Sequence, residues 1–288
     1  MNPSTNYLYH YTSIETLALI LHNKTFRLNS LDHMDDLQEK EASDIKNIGQ
    51  FCYVSSWTDD ETESIPMWNM YSTLDSGVRI KLKANPFKLF ENTPDSIQNV
   101  SNFPVTDNTN GSYLKSIIPI ADMLEKGYVC PAAMTNDILH KVEYNSDYDK
   151  LYPRLVTHEG DKFNIALGSL GIHKNIHWEF QHEWRYILHF YPLNFNQDPG
   201  RVTTSVQIMA NKLLHGLEKQ PFPFYDLQLD DTAFNQMEIT LSPKISAGNR
   251  LIVKSLIEKY NPSALISESS KDKNVKYISI HVEIPNVY

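Results

Sequence analysis

Short blocks of apolar and polar positions follow one another along this chain and predict an irregular succession of strands and helices. Residues 7–11 are rich in aromatic side chains and predict a strand, and apolar positions spaced three and four apart over residues 14–21 predict a helix directly behind it. Thr12 and Glu15 have the spacing of a capping box for this helix. The other predicted elements are strands at 25–29, 51–56, 77–82, 183–190 and 275–284, loop and helix at 32–47, a short helix opened by Pro66, an extended segment at 139–144, and helices at 160–174 and 245–260.

This order of elements predicts an α+β fold. Strands occur in runs that helices interrupt irregularly, whereas a doubly wound parallel sheet needs a steady alternation of strand and helix. We expect mixed or antiparallel central sheets with flanking helices, built by residues 1–288 as a single domain. The composition turns polar around residues 91–125, which predicts a surface insertion there.

Composition and charge narrow the classes of protein that remain. The chain has 288 residues and a formal net charge of −9, which disfavours non-specific attraction to nucleic acid. No apolar run approaches the roughly 18 residues of a membrane span, and the first residues lack the features of a secretory signal. We therefore expect a cytoplasmic protein without membrane contact. Cys52 and Cys130 are the only cysteines and lie far apart, which predicts buried apolar side chains rather than a disulfide or a zinc site.

Two segments near the amino end carry side chains that could bind a ligand. His10 lies between a predicted strand and a helix N-terminus, a junction that favours phosphate or ribose, unless the imidazole is an inert ring of an aromatic strand. Asp35, Asp36 and Glu39 follow, and on a helix Asp35 and Glu39 would share one face. These carboxylates could hold a divalent cation, or they could be the solvated first turn of a helix.

Two later segments combine aromatic and charged side chains. Trp68 and Tyr71 lie three apart in a predicted helix, where they form either a stacking wall for a flat ring such as nicotinamide or adenine, or a wedge in the core. If residues 181–185 are extended, Gln181, Glu183 and Arg185 share one strand face. Glu183 and Arg185 then form a partly buried ion pair, or Glu183 faces a cleft and stabilises a sugar cation.

In their order and spacing, the motifs of these segments resemble an uncharacterised family of bacterial proteins, known as a domain of unknown function. The resemblance covers residues 7 to about 260, and the ordered set is more specific than any one motif. The chain departs from that family's pattern at Gln181, where the pattern more often has Glu. The motifs are Tyr9-His10-Tyr11-Thr12, Met34-Asp35-Asp36 with Glu39, Met67-Trp68 with Tyr71 and Gly77-Val78, and Trp178 through Glu183-Trp184-Arg185.

The layout is also similar to a divergent ADP-ribosyltransferase. In that superfamily an early strand bears a His or Arg for the NAD ribose, an aromatic ring stacks on nicotinamide, and a late strand bears the catalytic Glu. Gln181-His182-Glu183 is similar to the Gln-x-Glu pair of its toxins, while the stacking ring is open among Trp57, Trp68 and Tyr71. The resemblance implies NAD as the substrate, Glu183 and Gln181 as catalytic residues, and NAD binding by His10, Tyr11, Thr12, Trp68, Tyr71 and Arg185, in chemistry that needs no metal.

Three classes of function are compatible with these motifs. The first is an NAD-consuming enzyme that transfers ADP-ribose to a protein or nucleic acid, or hydrolyses NAD, as a bacterial toxin or phage-defence effector with a neutralising or regulatory partner protein. The second is a metal-dependent nuclease that uses residues 35–39 with Glu183. The third is a protein that binds a nucleotide or a partner without turnover. The first hypothesis requires that His10 and Glu183 line the same pocket.

Overall fold

The computed structural model describes residues 6–36, 38–98, 114–135, 137–160, 162–193 and 202–271. No helix within these ranges combines the length and apolar character needed to cross a membrane. The strands are β1 (Tyr7–Ser13), β2 (Thr25–Ser30), β3 (Cys52–Thr58), β4 (Gly77–Lys83), β5 (Phe90–Asn92), β6 (Leu114–Ser116), β7 (Leu139–Lys141), β8 (Glu143–Asn145), β9 (Val156–Glu159), β10 (Lys162–Ile165), β11 (His173–Asn175), β12 (Glu183–His189), β13 (Phe224–Gln228), β14 (Glu238–Leu241) and β15 (Leu265–Ser267). The α-helices are α1 (Ile14–Asn23), α2 (Ile65–Tyr71), α3 (Pro94–Gln98), α4 (Ile120–Lys126), α5 (Tyr148–Leu151), α6 (Val202–Leu214), α7 (Asp231–Asn235) and α8 (Ala247–Tyr260).

Nine of the described strands form one mixed sheet. Its main order is β13-β2-β3-β1-β4-β14-β15, and β12 joins it by pairing with β3 on one edge and with β7 on the other. Neighbouring strands in this sheet are antiparallel except β14 and β15, which are parallel. The predicted α+β class with a mixed central sheet is therefore confirmed.

The sheet forks at β3. One edge of β3 pairs with β12 over its whole length. The other edge is shared by two strands, because residues 53–54 pair with β2 whereas Thr58 pairs with β1. Residues 55–57 lie between these two pairings, where β1 and β2 diverge. The fork therefore leaves an opening in the sheet beside the middle of β3.

Helix α1 packs on the sheet with the face that its apolar spacing predicts, since Leu17 and Leu21 are buried in the main core. Its N-cap is Ser13, whose hydroxyl accepts a hydrogen bond from the backbone N–H of Thr16 at 3.2 Å. The predicted capping box at Thr12 is wrong by one residue, because β1 continues through Ser13 and keeps Thr12 in the strand.

Segment 160–174 is extended where a helix was predicted. β9 and β10 form a hairpin around Gly160, whose φ of 59° suits a tight turn. Phe163 and Ile165 are two residues apart, and this strand period replaces the helical one. Within the described part of 32–47 only the 3-10 helix Leu31–His33 and turns occur. The predicted strand at 275–284 lies outside the described residues, and the remaining predicted elements are present within a few residues of their expected bounds.

The polar segment around 91–125 contributes to the core as well as to the surface. Residues 99–113 of this segment lie outside the described residues. On either side of them β5 pairs with β6, and Ile117, Ile118 and Met123 are buried in the main core. The described ends of the predicted insertion are therefore integrated into the fold.

Both cysteines are buried and unpaired, as the sequence predicts. Burial raises the pKa of both thiols, to about 12 for Cys130, because the surroundings disfavour a thiolate. Neither thiol is therefore a candidate nucleophile at neutral pH.

Candidate functional site

A cavity of about 250 Å³ lies at the fork beside β3. All four segments that the sequence singles out contribute to its wall, and His10 and Glu183 line it together. The lining residues are Tyr9, His10 and Tyr11 of β1; Arg27 and Asn29 of β2; Val54, Ser55, Ser56 and Trp57 of β3; Met67 and Tyr71 of α2; His33, Met34 and Asp35; and Lys174, Gln181 and Glu183.

Glu183 begins β12 and is held by two cationic side chains. Arg185 Nε lies 2.6 Å from one carboxylate oxygen, and Lys174 Nζ lies 2.9 Å from the other. The same two cations pair with Glu39, at 2.6 Å from Arg185 Nη1 and 3.2 Å from Lys174 Nζ. All four side chains are buried, and we refer to them as the four-charge network. Two carboxylates balance two cations, so the network buries no net charge.

The network fixes the protonation state of Glu183. Burial alone would raise the pKa of this carboxyl, because it removes water from the anion. The positive charges of Arg185 and Lys174 outweigh that effect and lower the pKa of Glu183 to about 2. Glu183 is therefore a carboxylate at physiological pH, suited to stabilising positive charge or accepting hydrogen bonds and unsuited to donating a proton.

Gln181 reaches the network from outside β12. It ends a 3-10 helix, Ile176–Gln181, and His182 follows with a φ of 45°, so residues 181–185 are not one continuous strand. The predicted strand face shared by Gln181, Glu183 and Arg185 is wrong for Gln181, because the left-handed backbone of His182 interrupts the strand. The Gln181 side chain nevertheless contacts the same lysine as Glu183, since Lys174 Nζ donates to Gln181 Oε1 at 2.8 Å. On its other side, Gln181 Nε2 donates to the hydroxyl oxygen of Tyr71 at 2.5 Å.

His10 forms part of the cavity wall as a neutral ring. Burial lowers the pKa of His10, so the imidazole is uncharged at pH 7. Its Nδ1 lies 2.8 Å from the carbonyl oxygen of Ser56 and must donate to it, because a carbonyl only accepts. The ring also packs on Trp57, with centroids 5.0 Å apart. Its Nε2 is consequently an acceptor, which suits a ribose hydroxyl and gives no charge attraction for phosphate.

Three of the residues expected to bind the ligand lie away from this cavity. Trp68 is fully buried and its indole N–H donates to Glu63 at 3.1 Å, so it belongs to the core and Tyr71 alone of the predicted pair faces the cavity. Arg185 is also fully buried and pairs with Glu183, which leaves it unable to reach a pyrophosphate. Thr12 lines a neighbouring cavity.

Residues 35–39 do not form the predicted carboxylate face. Asp35 is exposed at the cavity, whereas Asp36 is buried and Glu39 belongs to the four-charge network. The chain turns here instead of forming a helix, because the Asp36 side chain accepts a hydrogen bond from the backbone N–H of Gln38 at 3.0 Å. In the part of the chain that the structure describes, no group of three His, Cys, Asp or Glu side chains is placed to hold a metal ion.

A second cavity of about 430 Å³ adjoins the first and extends between α1 and β2. Arg27 lies at the junction, where Asp226 holds its guanidinium through contacts of 2.8 and 3.0 Å. The two cavities share the residues His10, Tyr11, Arg27, Asn29 and Tyr71.

Sequence reasoning misses Lys174, Arg27 and Ser56. Lys174 lies in the segment that was predicted to be helical, and only the pairing of β11 with β8 brings it to Glu183. The Ser56 hydroxyl oxygen is buried at the cavity, next to the Glu183 carboxylate. A basic residue shortly before Gln-His-Glu-x-Arg is the one signal that could have pointed to Lys174.

Two partly buried histidines, His10 and His189, predict loss of stability in mild acid. Desolvation lowers the pKa of His189 to about 4, and His10 shifts in the same direction. Below pH 6.5 these histidines bind protons in the unfolded chain but stay neutral in the folded one. The free energy of unfolding therefore decreases as pH falls from 6.5 towards 4. For His189 alone we expect a loss of about 2 kcal/mol in the free energy of unfolding between pH 7 and pH 5.

Urea unfolding at the two pH values measures this loss. His189→Gln should remove most of the difference, while the same change at the exposed His177 should leave it unchanged. An identical pH dependence in the wild type and His189→Gln would contradict the assignment.

Comparison with known proteins gives no relative to draw on: no protein-family model, no curated protein and no solved structure matches this chain.

Proposed function

We propose that this protein binds NAD in the cavity at the fork and breaks the bond between nicotinamide and ribose. Nicotinamide leaves, and the ADP-ribosyl group is transferred to a nucleophile on a protein or nucleic acid, or to water. Such an activity would suit a bacterial toxin or phage-defence effector that a partner protein neutralises or regulates.

The convergence of the four sequence segments on one cavity carries this proposal. His10 and Glu183 come from distant parts of the chain, and an aromatic ring, Tyr71, stands with them at the opening. These are the side chains that the resemblance to ADP-ribosyltransferases implies for ribose, for the developing cation and for nicotinamide. The divergence of β1 from β2 leaves the cleft in which the proposed ligand would lie.

In the proposed reaction each side chain has one task. Glu183, a fixed anion, stabilises the positive charge that grows on the ribose as the glycosidic bond lengthens. His10 accepts a hydrogen bond from a ribose hydroxyl through Nε2. Tyr71 faces the nicotinamide ring. Electrostatic stabilisation of this kind typically contributes 10²-fold or more to the rate.

The two adjoining cavities suit the size and shape of a dinucleotide. Ligand pockets usually enclose about 300–1,000 Å³, and each half of NAD carries a flat ring and a ribose. The cavity at the fork, here called the inner cavity, contains Glu183 and would take the nicotinamide half. The second cavity, between α1 and β2, would take the adenosine half. Arg27 at the junction would lie near the diphosphate.

Binding without turnover is the second candidate, and one observation favours it. The Glu183 carboxylate already receives hydrogen bonds from Arg185 and Lys174, at both oxygens. A carboxylate has about four acceptor positions, so little capacity remains for a ligand. The pairing of Glu39 and Glu183 with these cations speaks against the alternative of a metal-dependent nuclease, because the same carboxylates would have to hold the metal ion.

Release of nicotinamide from NAD by the purified protein tests the proposal. We expect free nicotinamide to accumulate in a chromatographic assay, together with ADP-ribose or with labelled protein or nucleic acid from a bacterial lysate. Calorimetric binding of NAD without any nicotinamide release would favour the second candidate. Absence of both binding and release would reject the NAD hypothesis.

A further inference from the structure

The orientation of the Gln181 amide is fixed by Lys174. An ammonium group has only donors, so the atom of Gln181 that lies 2.8 Å from Lys174 Nζ must be the amide oxygen. The amide nitrogen then points to the other side, towards Tyr71. Lys174 cannot turn away from this contact without leaving Glu39 and Glu183, because both carboxylates hold the same Nζ.

The fixed amide in turn decides the role of the Tyr71 hydroxyl. Gln181 Nε2 can only donate, so the hydroxyl oxygen accepts at 2.5 Å and its own hydrogen must point elsewhere. Among the described residues the hydroxyl has no other hydrogen-bond partner, and the side chain lines both cavities. Burial and the nearby charge of Glu183 raise the pKa of Tyr71, so the hydroxyl keeps its proton.

We infer that Tyr71 donates a hydrogen bond to the bound ligand, and that Lys174 and Gln181 are positioning residues that set this direction. The ligand would then place a hydrogen-bond acceptor beside the Tyr71 hydroxyl in the cavity that contains Glu183. For the NAD proposed above, on which this inference rests, that atom is the carboxamide oxygen of nicotinamide. The site would select a pyridine with a carbonyl substituent over the unsubstituted ring, since a buried donor without a partner costs binding free energy.

Binding measurements with an uncleavable ligand test the donor role. The carbocyclic analogue of NAD and the same molecule without its carboxamide are titrated into the protein by calorimetry. The wild type should bind the carboxamide form roughly tenfold more tightly. Tyr71→Phe keeps the ring and removes the donor, so its preference should fall close to one. An unchanged preference in Tyr71→Phe would overturn the inference.

A second variant tests the relay from Gln181. In Gln181→Glu both side-chain oxygens accept, so Tyr71 should turn its hydrogen to the new carboxylate and the preference for the carboxamide should again disappear. A thermal melt confirms that this variant is folded. Tyr148→Phe makes the same chemical change as Tyr71→Phe at an exposed tyrosine and should retain the wild-type preference.

A measurement without ligand separates this inference from the proposed function. Ultraviolet resonance Raman spectra report whether the Tyr71 hydroxyl accepts or donates a hydrogen bond. The Tyr71 signal of each protein is the difference between its spectrum and the spectrum of the same protein with Tyr71→Phe added. We expect an accepting hydroxyl in the wild type, and a shift to a strong donor in Gln181→Glu. If neither NAD analogue binds, the NAD proposal fails while the Raman result still decides the relay. A Tyr71 signal that is the same in the wild type and in Gln181→Glu would reject the relay from Gln181 to Tyr71.

Discussion

Glu183→Gln is expected to lower kcat/KM for nicotinamide release from NAD by about 100-fold or more, because it removes the buried carboxylate that is proposed to lie beside the reacting ribose. The amide keeps the size of the side chain and loses its charge. Stopped assays at several NAD concentrations would show the loss chiefly in kcat, since the charge on the ribose develops only as the bond breaks.

Glu39→Gln is the matched control for this experiment. It changes the charge of the four-charge network by the same amount, but Glu39 does not line the cavity. Both variants should therefore lose similar stability, while Glu39→Gln retains activity within about tenfold of the wild type. Equal loss of activity in the two variants would mean that Glu183 acts only through the network and would remove its catalytic role.

Arg185→Met is expected to lower the free energy of unfolding by about 3–5 kcal/mol. The substitution leaves Glu39 and Glu183 buried with Lys174 as their one remaining cation, so a net negative charge is sealed inside the protein. Chemical denaturation at pH 7 measures the loss. The exposed Arg154 provides the control, because Arg154→Met breaks a solvated pair with Asp44 and should change stability by only about 0.5 kcal/mol.

The double variant Glu39→Met with Arg185→Met gives the sharper test. It leaves Lys174 and Glu183 as a neutral pair, so it should recover at least about 2 kcal/mol relative to Arg185→Met alone. If Arg185→Met does not fold, the added change at Glu39 should restore folding. Strict additivity of the two single losses would show that charge balance is not what stabilises this part of the core.

Local sequence patterns predict part of this fold, including β2, β3, β4, β12 and α8, and most of the segments of its site, whereas they do not predict α6, β13 or β14. The strand β1 follows from its aromatic composition and the helix α1 from its three-to-four spacing, because both signals are properties of neighbouring residues. The motifs that resemble known families also lead to His10 and Glu183, which do line one cavity. Local rules fail at segment 160–174, where the strand pairing of β11 with β8 decides the backbone.

Contacts between distant segments are the part that the sequence alone does not predict. Trp68 and Tyr71 are three apart in α2, yet one is sealed in the core and the other faces the cavity. Helical spacing places both on one side of the helix, and their tertiary contacts distinguish them, because Trp68 packs on Tyr11 of β1 whereas the Tyr71 hydroxyl contacts Gln181. Glu39 is a comparable case, because its role depends on Arg185, far along the chain. The fork likewise depends on which strands share an edge of β3.

The charge balance of the four-charge network also restricts which substitutions this protein can accept during evolution. A single replacement at Glu39 or Arg185 is expected to cost stability, whereas a joint replacement by apolar side chains is expected to be tolerated. Descendants of the gene should therefore keep both residues or lose both together. A homologue that has lost one of the two residues would need another side chain of the same charge nearby.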